Sequence, residues 1–423
     1  MSDVLITLTA IAVAVFRERV RPGNNEGPSF NRLMSPDGVL QEAVGRSFLP
    51  PIQNLGINDL VAVATAESGL DILAPREGEL DPMLLYPGGG SRMSATMVFT
   101  GLLSSALLQM YLLRMPWDES TFVRTVLEGF EELQRAVRGE RIRAHAVSGI
   151  AGITLPEAVQ MRTPWGTVRP APPIETEQMA LPLGRPKTRC ILAEPRLLAV
   201  RFDRAASPKP LDQSQASPEA ARVLFPLSCA LASKESAKPV APFVTWSTLV
   251  VPFQSAFWFS TPIPPPTLGS EVYFGDRIEQ VEHWASVVDR SHVPGVDIAA
   301  NRLISAVTNR IDRSDSLIDA VMVWENLVGT RSEVTFRVTA AIAKLLESDP
   351  TKRRDLRKEL SGIYETRSRV VHGSSVERAD VDKACSSAID VAVRALRAAY
   401  RKGREWLELS SQERADEILL EWE

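Results

Sequence analysis

Arg367 and His372 are the residues of this chain whose types and spacing could do chemistry. They stand five positions apart in Tyr364-Glu365-Thr366-Arg367-Ser368-Arg369-Val370-Val371-His372-Gly373. A guanidinium fork can hold two phosphate oxygens at once. An imidazole titrates near neutral pH and can take or give a proton. Cutting RNA without a metal needs a base for the 2′-hydroxyl proton, positive charge for the phosphorane, and an acid for the leaving oxygen. Plainer roles exist for both residues. His372 could cap its own helix end, and Arg367 could pair with a core acid, for which Glu325 is the natural partner.

The elements that must position these groups follow from periodicity. A helix is predicted to begin after Pro350, with an apolar stripe of Leu356, Leu360, Ile363, Tyr364, Val370 and Val371 at steps of three and four. Arg367 falls on that stripe, where a charge is costly unless an anion meets it. Gly373 supplies a stop, so His372 sits in the last turn, facing the negative end of the helix dipole. Five helical positions are about 500°, or about 140° of net rotation, so the two side chains do not share a face of a straight helix. Either the helix frays at Gly373 or a second chain completes the site. The second is favoured, because one imidazole cannot readily serve both proton transfers, and an isologous dimer brings a second pair to the same cleft. Glu325 also falls on the apolar stripe of its own helix and could orient Arg367 or His372, or act in catalysis. Tyr364 could stack on a base or belong to the core. Arg369 is off the stripe and is a candidate phosphate contact.

This string resembles the Apea-like branch of the HEPN domains, whose mark is tyrosine-x-x-arginine-serine-x-x-valine-histidine-glycine. The matching residues are Tyr364, Arg367, Ser368, Val371, His372 and Gly373. The family's upstream helix looks like Asp315 to Leu327, with Trp324 in place of a leucine. Ser332 to Leu346 looks like the next helix, with Arg337 where basic residues tend to occur. The resemblance covers about the last third of the chain. It implies a helical bundle that forms a homodimer, with the Arg367 and His372 of two chains meeting in one cleft, and it sets Arg337 where the family carries basic residues. Together with the reading of the residues themselves, the candidate set is Arg367, His372 and Glu325 for catalysis, and Arg369, Tyr364 and Arg337 toward RNA. It further implies a metal-independent ribonuclease of antiphage defence or toxin systems, with a protein or phage-derived trigger. Members that have lost activity point to an alternative: a non-catalytic module binding RNA, nucleotide or a partner protein. A bundle that only dimerises as a scaffold is a third reading.

The bulk properties bound these readings. The chain has 423 residues, 44% hydrophobic and 24% charged, with net charge -4. That is an ordinary globular composition, long enough for two or three domains, and it argues against a basic nucleic-acid binder overall. The charge is uneven: Pro350 to Arg404 holds fourteen Lys or Arg against seven Asp or Glu, a difference of +7. That suits a phosphate backbone near the motif or a solvated helix face. Three cysteines (Cys190, Cys229, Cys385) and four histidines (His145, His283, His292, His372) lack metal-binding or redox spacing. No metal, no other cofactor and a reducing cytoplasm are therefore expected. Val4 to Phe16 is apolar but too short to span a bilayer and lacks a basic flank and cleavage site. Met93 to Leu113, diluted by Ser, Thr and Gln, is expected to be a core helix rather than a membrane span.

The expected fold is α+β and multidomain. Residues 1–139 read as a mixed, mostly helical region, with loops at Pro22 to Pro36 and at Tyr86 to Ser91 and an amphipathic helix from Thr121 to Val137. Residues 140–275 read as a β-rich domain crowded with prolines. Its strands are placed at Val159–Met161, Cys190–Leu192, Leu197–Phe202, Arg222–Ala232, Phe243–Phe253 and Ala256–Phe259. Ala205 to Ala221 is taken as a mobile loop and Pro262 to Pro266 as a stiff break. Residues 276–423 read as the all-α HEPN-like bundle. Its helices are placed at Ile278–Val288, Asp297–Ile311, Asp315–Val328, Glu333–Leu346, Lys352–Val371, Val376–Tyr400 and Ser411–Trp422. Ser374 to Glu377 forms a capping-box pattern before the sixth of them.

Overall fold

The computed structural model describes residues 6, 8–13, 83–86, 89–92, 101–103, 105–106, 109–110, 113, 115–116, 118–171, 188–199, 202–203, 219–233, 238–253, 257–260, 272–330 and 334–420. The loop expected at Pro22 to Pro36, the Pro262 to Pro266 break and most of Ala205 to Ala221 lie outside them. The architecture is mixed α/β, with an antiparallel sheet and a helical C-terminal region. Two compact units interleave along the chain. Met1–Gly149, Ala171–Pro218 and Thr245–Thr261 form one; Ile150–Pro170, Glu219–Val244 and Pro262–Glu423 form the other.

In the first unit, β1 (Met83–Tyr86) pairs antiparallel with β2 (Gly89–Arg92), Met83 opposite Arg92 and Tyr86 opposite Gly89. The stretch expected to be a loop, Tyr86 to Ser91, is therefore strand at Tyr86 and from Gly89 on. Helix α1 (Glu119–Val137) starts on Asp118, whose carboxylate accepts from Thr121 N at 2.8 Å. Its stripe of Phe122, Val126, Phe130 and Leu133 is buried. Gly129 is required where α1 meets the Pro252 carbonyl, since a Cβ there would stand 2.8 Å from that oxygen. Glu132 of α1 is buried and takes Arg143 N at 2.8 Å and Arg143 Nε at 2.7 Å, tying the helix to β3 (Arg141–Ala151). β3 lies between β4 (Cys190–Ala199) and β5 (Phe243–Val250), and β6 (Phe257–Ser260) follows β5 with Phe257 opposite Leu249. β4 merges two expected strands, because Pro195 removes one donor without breaking a ladder. Leu102, Leu103, Ala106 and Met110 are buried, and Ser105 Oγ donates to Val251 O at 2.7 Å, as a core helix requires. Among the described residues no helix is long and apolar enough to cross a membrane.

In the second unit, Met161–Thr163 and Gly166–Pro170 form a hairpin with Met161 opposite Val168. The strand expected at Arg222–Ala232 is instead a π-helical turn (Ala220–Leu224) running into α2 (Phe225–Leu231). Every residue of α2 is buried, so the run carries no period, and Pro226 in the first turn with Leu and Ala beyond it favours helix. The remainder is helical: α3 (Ile278–Ser291), α4 (Asp297–Ile304), α5 (Arg313–Val328), α6 (Val334–Leu346), α7 (Pro350–Val371), α8 (Arg378–Lys402), α9 (Arg404–Glu408) and α10 (Ser411–Leu420). The helix expected to reach Ile311 changes to a π turn at Ser305–Asn309, and Ile311 is 68% exposed rather than on the packed stripe. α5 is the hub, packing against α4, α7, α8 and α10. Alanines 384, 388, 392, 395 and 399 line the buried side of α8 and let helices approach closely. The capping box does not form: Glu377 is the N-cap of α8 and its side chain makes no cap bond.

Candidate functional site

The site is built on the second half of α7. Asp349 accepts from the backbone N–H groups of Thr351 and Lys352 at 2.9 and 2.8 Å, and Pro350 takes the first helical position. Leu356, Leu360, Ile363 and Tyr364 are buried. Val370 and Val371 do not continue the stripe, since Val371 is 49% exposed and the last turn runs out past the core. The helix ends in a Schellman turn. Gly373 N donates to Val370 O at 3.1 Å, Ser374 N donates to Arg369 O at 2.9 Å, and Gly373 has φ 71°. His372 N still bonds Ser368 O at 3.0 Å, so the helix does not fray before His372. Arg367 and His372 thus keep the rotation of about 140° that five regular helical positions impose.

Glu325 faces Arg367 from α5. Arg367 Nη2 lies 3.9 Å from Glu325 Oε2, with both side chains about a quarter exposed. Tyr364 donates its hydroxyl to Glu325 Oε1. The Arg367 Nε is buried and has no hydrogen-bond partner among the described residues. Burial, and then the Glu325 carboxylate, push the Tyr364 phenol well above its ordinary value. Trp324 packs behind it, ring centroids 6.5 Å apart. The helix end that follows Glu325 is held by a residue the sequence did not single out. Arg414 of α10 is buried and donates to the carbonyls of Asn326, Leu327 and Leu407 at 2.9, 2.8 and 2.9 Å. It satisfies the free carbonyls at the end of α5, the turn that carries Glu325.

The other expected site residues take different places. His372 is exposed, and its imidazole has no partner among the described residues. Arg369 donates to Ser375 O at 2.7 Å and clips the turn after the helix. Tyr364 is only 6% exposed with its hydroxyl spent on Glu325, so it is a core residue and closed to a base. Arg337 pairs with Asp416 of α10, both side chains partly exposed.

Two charged clusters were not read from sequence. Asp319, 1% exposed, takes Arg302 Nη1 at 2.7 Å and Arg310 Nε at 2.6 Å. His292 bridges Tyr400 Oη at 2.6 Å and Asp297 Oδ1 at 2.8 Å. A cleft of about 750 Å³ opens beside α7 and α8, with Lys238, Arg313, Leu356, Ser386 and Arg394 in its walls. Arg367, His372 and Glu325 do not line it. The three cysteines are buried and none forms a disulfide, and burial pushes the Cys385 thiol up to about 11. Among the described residues no group of three His, Cys, Asp or Glu could hold a metal ion. No protein-family model, curated protein or solved structure matches the chain.

Proposed function

We propose that this protein is a metal-independent HEPN-type endoribonuclease whose site is completed by a second copy of the chain. Arg367 binds the scissile phosphate. One His372 removes the 2′-hydroxyl proton, the 2′-oxygen attacks phosphorus, and the partner's His372 protonates the departing 5′-oxygen. The products carry a 2′,3′-cyclic phosphate and a 5′-hydroxyl. Glu325 orients Arg367, in the manner of an outer-shell partner. A role in antiphage defence, with the preceding residues sensing a trigger, belongs to the same reading and comes from the resemblance alone.

The observation that supports it is the regular helix up to Val371, with His372 at its C-cap still bonding Ser368 O at 3.0 Å. Guanidinium and imidazole leave α7 on different sides, so one chain does not aim both at one phosphorus, whereas a two-fold copy supplies the missing group. His372 is also exposed and unspent, as a proton-transfer group must be.

The test is cleavage of RNA by the wild type, Arg367→Ala and His372→Ala in the presence of a chelator. Both variants should fold normally and lose cleavage by at least about 100-fold. Full activity in either, or dependence on added metal, refutes the mechanism. The non-catalytic alternative is selected if the wild type binds RNA, nucleotide or a protein without cutting.

A further inference from the structure

Phe336 of α6 is 54% exposed, and the Arg357 guanidinium of α7 lies 4.2 Å from its ring centroid. An aromatic left in solvent and fixed beside a cation is the pair on which single-stranded bases stack. Arg357 also opens a polar stripe. Positions 354, 357, 358, 361, 365, 368 and 372 follow one another at helical steps and fall within about 100° of the α7 circumference. They are Arg354, Arg357, Lys358, Ser361, Glu365, Ser368 and His372. Leu356, Leu360 and Ile363 occupy another face and are buried. Arg354 and Lys358 are exposed. The Arg354 Nε reaches only Pro350 O of its own helix at 3.4 Å, and Lys358 has no ion pair among the described residues. Glu365 is the single acid on the stripe.

From Arg357 to His372 the helix rises about 22 Å at ~1.5 Å per residue. A stacked strand advancing about 3.4 Å per nucleotide covers that distance in about six nucleotides. We propose that single-stranded RNA lies along this face of α7. One base stacks on Phe336 beside Arg357, phosphates meet Arg354 and Lys358, and the strand reaches His372 about six nucleotides away. This rests on the ribonuclease reading of His372 and adds to it a substrate class and a minimum length.

The test measures binding in a His372→Ala background, so that nothing is cut, by fluorescence anisotropy with single strands of three to twelve nucleotides. Affinity should rise with length and level off near six. Phe336→Ala should weaken binding of the twelve-mer roughly tenfold, with Phe336→Tyr restoring it. Arg354→Gln with Lys358→Gln should reduce the slope of log affinity against log salt by about 1.4. Arg138→Gln, a surface change in the other unit, serves as the control. Affinity independent of length, a Phe336→Ala chain no weaker than the control, or duplex RNA bound as tightly as single strand overturns the proposal. If the wild type cuts RNA while these losses are missing, the track falls and the nuclease stands. If length dependence and losses appear but the wild type cuts nothing, the track stands and the nuclease falls.

Discussion

Glu325 Oε2 stands 3.9 Å from Arg367 Nη2, close enough to orient the guanidinium and loose enough to leave it open to a second anion. A tight bidentate pair would have spent the arginine. Tyr364 keeps the geometry by occupying the other carboxylate oxygen.

Glu325→Gln keeps an acceptor for Tyr364 and removes the charge facing Arg367. Stability should change by less than about 1 kcal/mol, since the pair is partly exposed and long. The kcat for RNA cleavage should fall about tenfold or more while KM stays within a few-fold. A double-mutant cycle with Arg367→Lys should be non-additive. Additive losses would show that the two residues act apart.

Tyr364→Phe should destabilise the fold by about 1.5–3 kcal/mol at neutral pH, because a carboxylate loses a buried donor. The pH dependence has a definite sign. Burial first, and then Glu325, raise the Tyr364 phenol above its ordinary 10.0. The folded chain therefore holds that proton more tightly than the unfolded one. Its contribution is complete below about pH 10 and is lost as pH climbs beyond it. Tyr400, raised by burial and then by Asp297, acts in the same direction. Urea unfolding between pH 7 and 11 should give Tyr364→Phe a flatter alkaline limb than the wild type. Identical slopes would remove Tyr364 from the account.

Gly373→Ala tests the helix stop. Gly373 has φ 71°, and a Cβ there would meet nothing within 4 Å, so the cost is conformational rather than steric. A loss of about 1–2 kcal/mol is expected, with Gly373→Asn recovering part of it. Cleavage should fall with it, because the turn sets where His372 leaves α7. An alanine variant as stable as the wild type would mean that the turn is not held in the left-handed region.

The parts of the site that repeat along one helix could be read directly. The helix start beside Pro350, the Leu356–Leu360–Ile363–Tyr364 stripe and the Gly373 stop appear where local rules place them, whereas the Asp349 cap was not read. Local reading failed where burial is total or absent. The uniformly buried Phe225–Leu231 has no period and looked like a strand. Val371 is apolar yet half exposed, because α7 outruns the core it packs on. Ser374 to Glu377 had the composition of a cap without the backbone to use it.

Charge partners belonged to the tertiary structure. Glu325 was named as the mate of Arg367, but nothing in the spacing said that Tyr364 would hold its other oxygen. Nothing said that Arg414, near the end of the chain, would bond the carbonyls just beyond Glu325. Asp319 choosing Arg302 and Arg310, and Arg337 choosing Asp416, are likewise unreadable in one dimension. For α7 the sequence by itself determined where the helix begins, where it stops and which side Leu356, Leu360, Ile363 and Tyr364 bury, because helix-stop signals and 3.6-residue periodicity act over a few residues. Only the packing of α5 against α7, α8 and α10 decided which guanidinium is spent on the fold and which stays open, because a charge takes whichever partner the folded neighbours bring within a few ångströms.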